Sequence, residues 1–309
     1  MVQDPRRVAV IGTGTVGASW AAYYLARGFE VLATDPGPGA EAALADRVAQ
    51  AWPALEQLGL AEGASPDHLR FVADVASAVE GATWVQESAP EREELKIELL
   101  RTIDEHCPAE VVVASSSSGL LISRIASAMA HPERCVIGHP FNPPHLMPLV
   151  EVVGGEATSP ETVQAALDFY RSIGKRPIHV KREVVGHVAN RIQAAIFREA
   201  LHLLNEGVVS VADFDDAVLY GPGIRLALMG PFMTFHLAGG PGGMKHFLEH
   251  LSEPYNTWFA DLGSASLTPA DEAGILQGIE EEVAGRPMEE LVARRDVSLV
   301  KLLSTIEQL

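Results

Sequence analysis

The stretch from Arg7 to Gly17, RVAVIGTGTVG, constrains the fold more than any other part of the sequence. A short β-branched strand runs directly into Gly12, Gly14 and Gly17, which are spaced as G-x-G-x-x-G, and a helix-compatible run follows. In such a unit the first glycine permits the tight turn, the second lets the backbone approach a pyrophosphate, and the third lets helix pack on strand. The N-terminus of the helix then faces the phosphates. The stretch therefore predicts a dinucleotide-binding site.

A carboxylate at the end of the next strand-like run indicates which dinucleotide is bound. The glycine pattern alone is a weak signal, but the run EVLATD ends in Asp35, about 20 residues beyond the glycines. An acid at that position accepts a hydrogen bond from the ribose 2′-hydroxyl and disfavours a 2′-phosphate. We therefore expect NAD, and not NADP, as the cofactor.

Strand-like and helix-like segments alternate through the first part of the chain. The runs LRFV, WVQES and VVVASS are separated by helical patterns, and this alternation is typical of a mostly parallel sheet with helices on both faces. From His187 onward only amphipathic helical patterns are visible. We therefore predict an α/β protein, with an N-terminal NAD-binding Rossmann domain at residues 1–184 and an all-helical domain at residues 185–309. The stretch Pro36–Pro66 is also predicted to be helical, with a break near Trp52-Pro53.

Composition limits the classes of partner. A formal net charge of −18 repels the phosphate groups of nucleic acids and of anionic membranes, so we expect neither as a partner. An apolar run of about 18 residues, as a transmembrane helix needs, is absent from the sequence, and so is a secretory signal, which leads us to expect a cytoplasmic protein. The two cysteines, Cys107 and Cys135, form no C-x-x-C motif and are interpreted as reduced thiols.

A proline-rich reversal near the middle of the chain carries the residues best suited to catalysis. The extended runs Val136–Phe141 and Leu149–Val153 flank it, so the chain is predicted to fold back and bring Glu151 beside His139. Glu151 lies in LVEVV, where a buried carboxylate is costly unless it is paired. A histidine held by a carboxylate is a general base that works near neutral pH. On this stretch alone, an equally good interpretation is that His139 is a loop histidine and Glu151 a strand-edge glutamate, with no joint role.

Taken together, these motifs resemble the 3-hydroxyacyl-CoA dehydrogenase family over nearly the whole chain. The resemblance implies a Rossmann domain followed by a helical domain for substrate binding and dimerisation, and hence a homodimer. It also implies four catalytic side chains, which are Ser118 in the loop after the fifth strand, His139 in H-x-F-N-P, Glu151, which orients the histidine, and Asn190 in VANRI. On the residues alone, Asn190 is better interpreted as a helix-face amide bonded to backbone, and three of the four serines at 115–118 as a polar loop or helix cap.

The same resemblance predicts how the cofactor and the substrate are handled. Glu91 and Lys96, in an E-x4-K pattern, match residues that contact the nicotinamide side of NAD. The implied reaction oxidises a secondary alcohol at C3 of a small hydroxy acid, with the hydride passing to NAD and the proton to His139. Ser118 and Asn190 would hydrogen-bond the substrate oxygen as it changes between alcohol and carbonyl.

Three longer segments are similar to family members that oxidise L-carnitine, namely GHPFNPPHLMPLVEVVGG, YGPGIRLALMGPF and HLAGGPGGMKHFLEH. The stretch Pro36–Pro66, where the family would receive CoA, has one basic residue against four acids, so a CoA ester should be held poorly. Arg225 is the candidate cation for the substrate carboxylate, and a surface ion pair explains it equally well. Phe141, Phe235 and Trp258 are candidate contacts for a trimethylammonium group, although each is more often a core residue. L-Gulonate, 3-hydroxybutyrate and a 3-hydroxyacyl-CoA remain alternative substrates.

Two interpretations lie outside this class of enzyme. His246, Glu249 and His250 spell H-x-x-E-H, the inverted zinc-peptidase motif, on a predicted helix where both imidazoles can reach one metal. Such a site also needs a downstream carboxylate ligand and a peptide cleft, and it leaves the dinucleotide motif without a role, so we predict no metal site. The other interpretation is a lens-type structural protein that binds NAD without turnover. The intact set of serine, histidine, glutamate and asparagine argues against it.

Overall fold

An eight-stranded sheet forms the centre of the first of two units into which the chain divides. The structure is a computed structural model that describes residues 6–264 and 266–306, and the boundary between the units lies between Asn190 and Arg191. The strands are β1 (Arg7–Ile11), β2 (Glu30–Thr34), β3 (Leu69–Phe71), β4 (Trp84–Glu87), β5 (Val113–Ser115), β6 (Cys135–Pro140), β7 (Leu149–Gly154) and β8 (Arg176–Val180). Their order is β3-β2-β1-β4-β5-β6-β7-β8, and all neighbours are parallel except β6 and β7. The predicted mostly parallel sheet is therefore confirmed.

Helices cover both faces of this sheet. They are α1 (Thr15–Ala26), α2 (Ala40–Leu58), α3 (Val75–Val79), α4 (Glu93–His106), α5 (Ile122–Ile125) and α6 (Pro160–Ser172), with 3₁₀ turns at Pro66–His68 and Pro132–Arg134. Val8 and Val10 of β1 belong to the buried cluster that contains α1, whereas Ala9 and Ile11 belong to the cluster that contains residues of α4. Successive side chains of a strand point to opposite faces, so a strand buried on both faces is a continuous apolar run in the sequence.

Helix α2 continues through Pro53, and the predicted break at Trp52-Pro53 is wrong. A proline inside a helix removes one backbone hydrogen bond, but its fixed φ suits the helix. The helix buries Val48 before the proline and Leu55 after it. Because the same face packs on both sides of Pro53, tertiary packing holds the helix together across the lost bond.

The second unit is built from helices joined by short connections, and its described residues, 191–264 and 266–306, contain no strand. The helices that build it are α7 (Ala189–Asn205), α8 (Val211–Val218), α9 (Ile224–Leu228), α10 (Pro231–Ala238), α11 (Gly243–Asp261), α12 (Pro269–Val283) and α13 (Met288–Ile306), with a π turn at Leu219–Gly223 and a 3₁₀ turn at Gly240–Gly242. Ser210 and Thr268 accept N–H hydrogen bonds at the starts of α8 and α12, as N-cap residues do. The predicted all-helical C-terminal region is confirmed. Within the described part of the chain, no helix has the length and apolar character needed to cross a membrane.

Candidate active site

The glycine-rich loop has the geometry of a phosphate-binding turn. Gly12 has a φ of +90°, which favours glycine, and a Cβ at Gly17 would lie 1.9 Å from the Gly12 carbonyl oxygen. A Cβ at Gly14, by contrast, would meet nothing within 4 Å. Gly14 caps helix α1, whose first turn holds no acidic residue, so its N-terminal N–H groups and positive dipole end suit an anion. The fold therefore requires Gly12 and Gly17, and Gly14 leaves open space for a ligand.

Asp35 lies directly beside this loop. Its Oδ2 accepts a hydrogen bond of 2.7 Å from the N–H of Thr13, and its Oδ1 accepts one of 2.8 Å from the N–H of Gly37. Arg47 of α2 reaches the same loop, where its Nη1 donates to the Thr13 carbonyl at 3.0 Å. A carboxylate next to the glycine turn is where a ribose hydroxyl is recognised. The residues present therefore fit a dinucleotide without a 2′-phosphate.

His139 and Glu151 form a buried pair across the antiparallel strands β6 and β7. The register places them directly opposite one another, and His139 Nδ1 lies 2.8 Å from Glu151 Oε2. His139 is 4% exposed and Glu151 is fully buried. The predicted hairpin is confirmed, and it brings the two side chains together.

Glu151 is held as a carboxylate by three hydrogen bonds. Its Oε1 accepts N–H bonds from Val188 at 2.8 Å and Ala189 at 3.0 Å, in addition to the contact of Oε2 with His139. Burial by itself raises the pKa of Glu151, but the bonds from His139, Ala189 and Val188 outweigh it and lower the pKa below its ordinary value. An ionised carboxylate only accepts hydrogen bonds. Nδ1 of His139 therefore carries a hydrogen, and Nε2 is left as the basic nitrogen.

Ser118 and Asn190 come together although 72 positions separate them in the sequence. Ser118 is exposed, three positions beyond the end of β5, and Asn190 Nδ2 donates to its carbonyl at 3.0 Å. The Ser118 N–H donates to Glu91 Oε1 at 2.9 Å. Both bonds use the backbone of Ser118, so its hydroxyl takes part in neither.

Glu91 fastens the loop that follows β5. Its Oε1 accepts bonds from the Ser117 hydroxyl at 2.6 Å and from the N–H groups of Ser118 and Gly119, both at 2.9 Å. Burial raises the pKa of Glu91, but these hydrogen bonds and the nearby Lys96 outweigh it, so the pKa is lowered. Glu91 therefore holds the backbone on which the predicted catalytic serine lies.

Lys96 is buried in an ion pair with Glu87 at the end of β4. It is 1% exposed, and its Nζ lies 2.7 Å and 3.0 Å from the two carboxylate oxygens of Glu87 and 3.0 Å from the Ala89 carbonyl. The Ser115 hydroxyl donates to the same carboxylate. An ammonium group has three hydrogens, and these acceptors account for all of them. Any effect of Lys96 on the cofactor would act through the loop that begins at Glu87.

Sequence reasoning missed two buried polar residues at this site. Gln86 Oε1 accepts from the hydroxyls of Tyr24 at 3.0 Å and Tyr170 at 2.8 Å, and its Nε2 donates to Ser116 at 2.9 Å. A polar residue within the apolar strand WVQES was the available signal. The other residue is His187, whose ring centroid is 5.2 Å from that of His139. The sequence offers no signal for it, because its partners are remote in sequence.

The candidate substrate residues are distributed over both units. Phe141 is half-buried just beyond β6 in the first unit, and Arg225 is exposed on α9 in the second. Phe235 stacks on Phe247 with a centroid distance of 4.8 Å, and Trp258 lies 4.8 Å from Tyr255 by the same measure. Tyr255 also contacts Phe235 and Phe247. The helical unit therefore contains an aromatic cluster that includes two of the predicted residues.

His246, Glu249 and His250 share one exposed face of α11, as their spacing predicts. Their candidate ligand atoms all lie within 4.8 Å of one another. The His250 Nδ1 lies 2.9 Å from the His246 carbonyl oxygen. Within the described residues, no further metal-ligating side chain joins this group of three, so the additional carboxylate that an inverted zinc-peptidase site needs is absent there.

Comparison with known proteins agrees with this geometry. The model of the 3-hydroxyacyl-CoA dehydrogenase NAD-binding domain matches residues 7–184, and that of the C-terminal domain matches residues 186–275. L-carnitine dehydrogenase of Pseudomonas aeruginosa is 46% identical over 307 residues, covering 99% of this chain and 96% of that protein. The enzyme of the same name from Streptomyces griseus is 48% identical over 301 residues, covering 97% and 90%.

Two solved structures are also similar to this chain. The NAD⁺-dependent dismutase 5-formyl-3-hydroxy-2-methylpyridine 4-carboxylic acid 5-dehydrogenase has a TM-score of 0.85 and 32% identity, covering 98% of this chain and 99% of that one. The 3-hydroxybutyryl-CoA dehydrogenase of Escherichia coli has a TM-score of 0.64 and 31% identity, covering 76% and 50%. The fold is thus shared with dehydrogenases of more than one substrate class.

Proposed function

Because the chain belongs to the 3-hydroxyacyl-CoA dehydrogenase family and is an NAD-dependent oxidoreductase, we propose that it oxidises the 3-hydroxyl of L-carnitine to give 3-dehydrocarnitine. The observation that carries the proposal is the identity of 46% and 48%, over nearly the full chain, to two enzymes named L-carnitine dehydrogenase. The buried pair of His139 and Glu151 supports the chemistry, because this oxidation needs a base for the hydroxyl proton.

In this proposal His139 takes the substrate hydroxyl proton at Nε2, the nitrogen that Glu151 leaves free. The chemistry that bound NAD would supply is acceptance of the hydride from C3, so that the alcohol would lose one proton and one hydride and become a ketone. Glu151 then stabilises the imidazolium, since its carboxylate is already 2.8 Å from Nδ1. Gly12, Gly14, Gly17 and Asp35 would hold the cofactor. The charge that forms on the base is thus met by a carboxylate that is in place beforehand.

Ser118 and Asn190 bind the substrate oxygen in the proposed mechanism. The Ser118 hydroxyl is free of the backbone bonds that Glu91 and Asn190 make. The Asn190 amide donates one hydrogen to the Ser118 carbonyl, and a second N–H remains for the substrate. Glu91 and Lys96 support the nicotinamide side by fixing the two loops that follow β5 and β4.

Substrate selection follows from charge. The carnitine carboxylate needs a cation, and Arg225 offers a planar group suited to it. The trimethylammonium group needs aromatic faces without donors, for which Phe141 and the cluster of Phe235 and Trp258 are candidates. A CoA ester carries several phosphates, and the predicted CoA-receiving stretch, residues 36–66, has one base against four acids. In this assignment residues 1–184 bind NAD and residues 185–309 select the substrate.

We also infer a homodimer that forms through the helical unit. Large apolar side chains are exposed on it, including Phe232 at 79%, Tyr220 at 69% and Phe259 at 62%. Exposed apolar patches of this kind mark protein–protein contacts, and a second copy would cover them. A cytoplasmic location accords with buried, unbonded thiols at Cys107 and Cys135.

The experiment that tests the function follows NADH formation by absorbance. Purified protein is mixed with NAD and, separately, with L-carnitine, D-carnitine, 3-hydroxybutyrate, L-gulonate and 3-hydroxybutyryl-CoA. A preference for L-carnitine over all others, in kcat/KM, is expected. Faster turnover of a hydroxy acid that lacks the trimethylammonium group, or of the CoA ester, would overturn the substrate assignment and retain the reaction type. Absence of turnover across the whole set would overturn the proposed function.

A further inference from the structure

His187 joins the loops that carry the proposed catalytic groups, yet the proposed mechanism does not use it. Its side chain is 1% exposed, and its ring lies 5.2 Å from the ring of His139, centroid to centroid, at an angle of 48°. Its Nε2 lies 3.1 Å from the carbonyl oxygen of Ser117. Because a carbonyl only accepts hydrogen bonds, Nε2 carries the hydrogen. The lone pair of the neutral ring is therefore at Nδ1.

The surroundings of the ring favour its uncharged form. Nδ1 of His187 is buried and has no hydrogen-bond partner within the described part of the chain, so a proton there would form a buried N–H without an acceptor. The titratable groups facing the ring are His139 from β6, Glu151 from β7 and Glu91 from the loop before α4. Burial is the largest effect on the pKa of His187 and lowers it. His139 lowers it further, and the two carboxylates and the Ser117 bond do not outweigh these effects.

The backbone of His187 serves the same site as its ring. Its φ is +49°, in the left-handed region, and it follows Gly186 with a φ of +75°. A non-glycine residue persists in that region only where its surroundings hold it. The turn presents the next two N–H groups, those of Val188 and Ala189, to Glu151. The side-chain bond to Ser117 is a restraint that holds this turn in place.

We propose that His187 is a positioning residue whose uncharged ring, bonded to the Ser117 carbonyl, holds the turn that cradles Glu151 and packs against His139. The reaction it serves is that of the proposed function, on which this inference rests. His187 acts through Glu151 and His139 and does not touch the substrate. A proton on His187 would place a second positive charge beside the imidazolium that His139 becomes, so turnover requires the neutral ring.

The state of the ring is tested without any substrate. Histidine-selective ¹⁵N labelling and NMR of the full-length protein report the tautomer and charge of each of its 11 histidines. We expect one histidine to remain in the neutral Nε2–H tautomer well below the ordinary histidine pKa of about 6.5, and its signals to vanish in His187→Gln. A His187 that gains a proton at about pH 6.5 would overturn the inference. This readout stands whichever substrate the enzyme uses.

The positioning role is tested by two variants with opposite expectations. His187→Gln keeps an Nε2–H donor for the Ser117 carbonyl, whereas His187→Phe keeps the ring volume and loses the donor. Both are assayed with whichever substrate the wild type oxidises, so a wrong substrate does not affect this test. We expect His187→Phe to lower kcat about tenfold to hundredfold, as a misplaced catalytic group does, with the KM for NAD unchanged. The glutamine variant should stay within about threefold of the wild type.

A spectroscopic readout separates positioning from packing. The Nδ1 proton of His139, hydrogen-bonded to Glu151, should shift in His187→Phe and stay in place in His187→Gln. The matched control is His179→Phe, because His179 is an exposed histidine on β8, and it should change neither kcat nor that resonance. If His187→Phe has the kcat of the wild type and an unmoved His139 resonance, the His187 ring only fills space and the positioning role is overturned. If the phenylalanine variant does not fold, a fall in kcat of tenfold or more in His187→Gln overturns the inference by itself.

Discussion

Replacing Glu151 by glutamine keeps the shape of the candidate base pair and removes its charge. The glutamine oxygen can still accept the N–H groups of Val188 and Ala189, which bind Oε1 at 2.8 Å and 3.0 Å. The amide nitrogen then faces His139 Nδ1, where the carboxylate oxygen was 2.8 Å away. Two donors cannot bond to one another, so Nδ1 becomes the acceptor and the hydrogen moves to Nε2. The nitrogen that should take the substrate proton is then already protonated.

The size of the effect follows from this change of tautomer. Loss of general-base catalysis together with loss of the carboxylate that stabilises the imidazolium should lower kcat by about 10³-fold to 10⁴-fold. That range corresponds to about 4–5.5 kcal/mol of activation free energy. The dissociation constant of NAD should not change, since Glu151 takes no part in the glycine loop or in the contacts of Asp35.

The assay measures kcat from NADH formation and NAD affinity from titration calorimetry. The control is Glu156→Gln, in the loop just after β7, where the side chain is exposed. It should leave kcat within about twofold of the wild type, because substitutions at exposed positions away from a buried network have small effects. A kcat of Glu151→Gln reduced less than tenfold, in a variant that melts as the wild type does, would refute the assignment of Glu151 as partner of the base.

Three further predictions concern the cofactor loop, the buried ion pair and acid stability. Asp35→Ala should raise the KM for NAD about tenfold, for loss of a charged hydrogen bond, with kcat unchanged; an unchanged KM would contradict the ribose role. Lys96→Met leaves Glu87 unpaired in the interior and should lower the free energy of unfolding by about 3–5 kcal/mol, measured by urea titration; a loss under 1 kcal/mol would contradict the pairing. The pKa values of Glu151 and Glu91 are lowered in the folded protein, so their stabilisation is complete above the unfolded glutamate pKa of about 4.3. This stabilisation should be lost as the pH falls below that value. Urea titrations of the wild type and of Glu151→Gln, from pH 6 down to pH 3, measure the loss. Equal losses of stability in the two proteins would contradict the prediction.

The parts of the site that lie close together in sequence were predictable. The glycine loop and Asp35 follow a fixed spacing. The pair of His139 and Glu151 belongs to one hairpin, in which its members are 12 positions apart. In each case a short pattern determines both the local backbone and the side chains that meet. Site residues that belong to such a short pattern can be recognised before any long-range contact is known.

The contacts missed by sequence reasoning join remote segments. His187 bonds to a carbonyl 70 positions away, and Gln86 to a hydroxyl 84 positions away. No spacing rule relates such partners, because they meet only once the sheet order is set. The buried ion pair of Lys96 and Glu87 could not be predicted for a different reason, because it depends on how α4 packs beside β4. The continuation of helix α2 through Pro53 could not be predicted either, because tertiary packing overrides the local preference of proline to end a helix.

The antiparallel pairing of β6 and β7 has a consequence for how the protein folds and varies. Parallel neighbours need a long crossover, but antiparallel neighbours need only a short connection. The proposed base, His139, and its carboxylate, Glu151, therefore belong to one segment of chain. This hairpin closes a short loop and can form early. The cofactor loop depends on strands that are much further apart in sequence. A chain of this design can exchange the residues that recognise a substrate while inheriting the proposed proton-transfer pair intact.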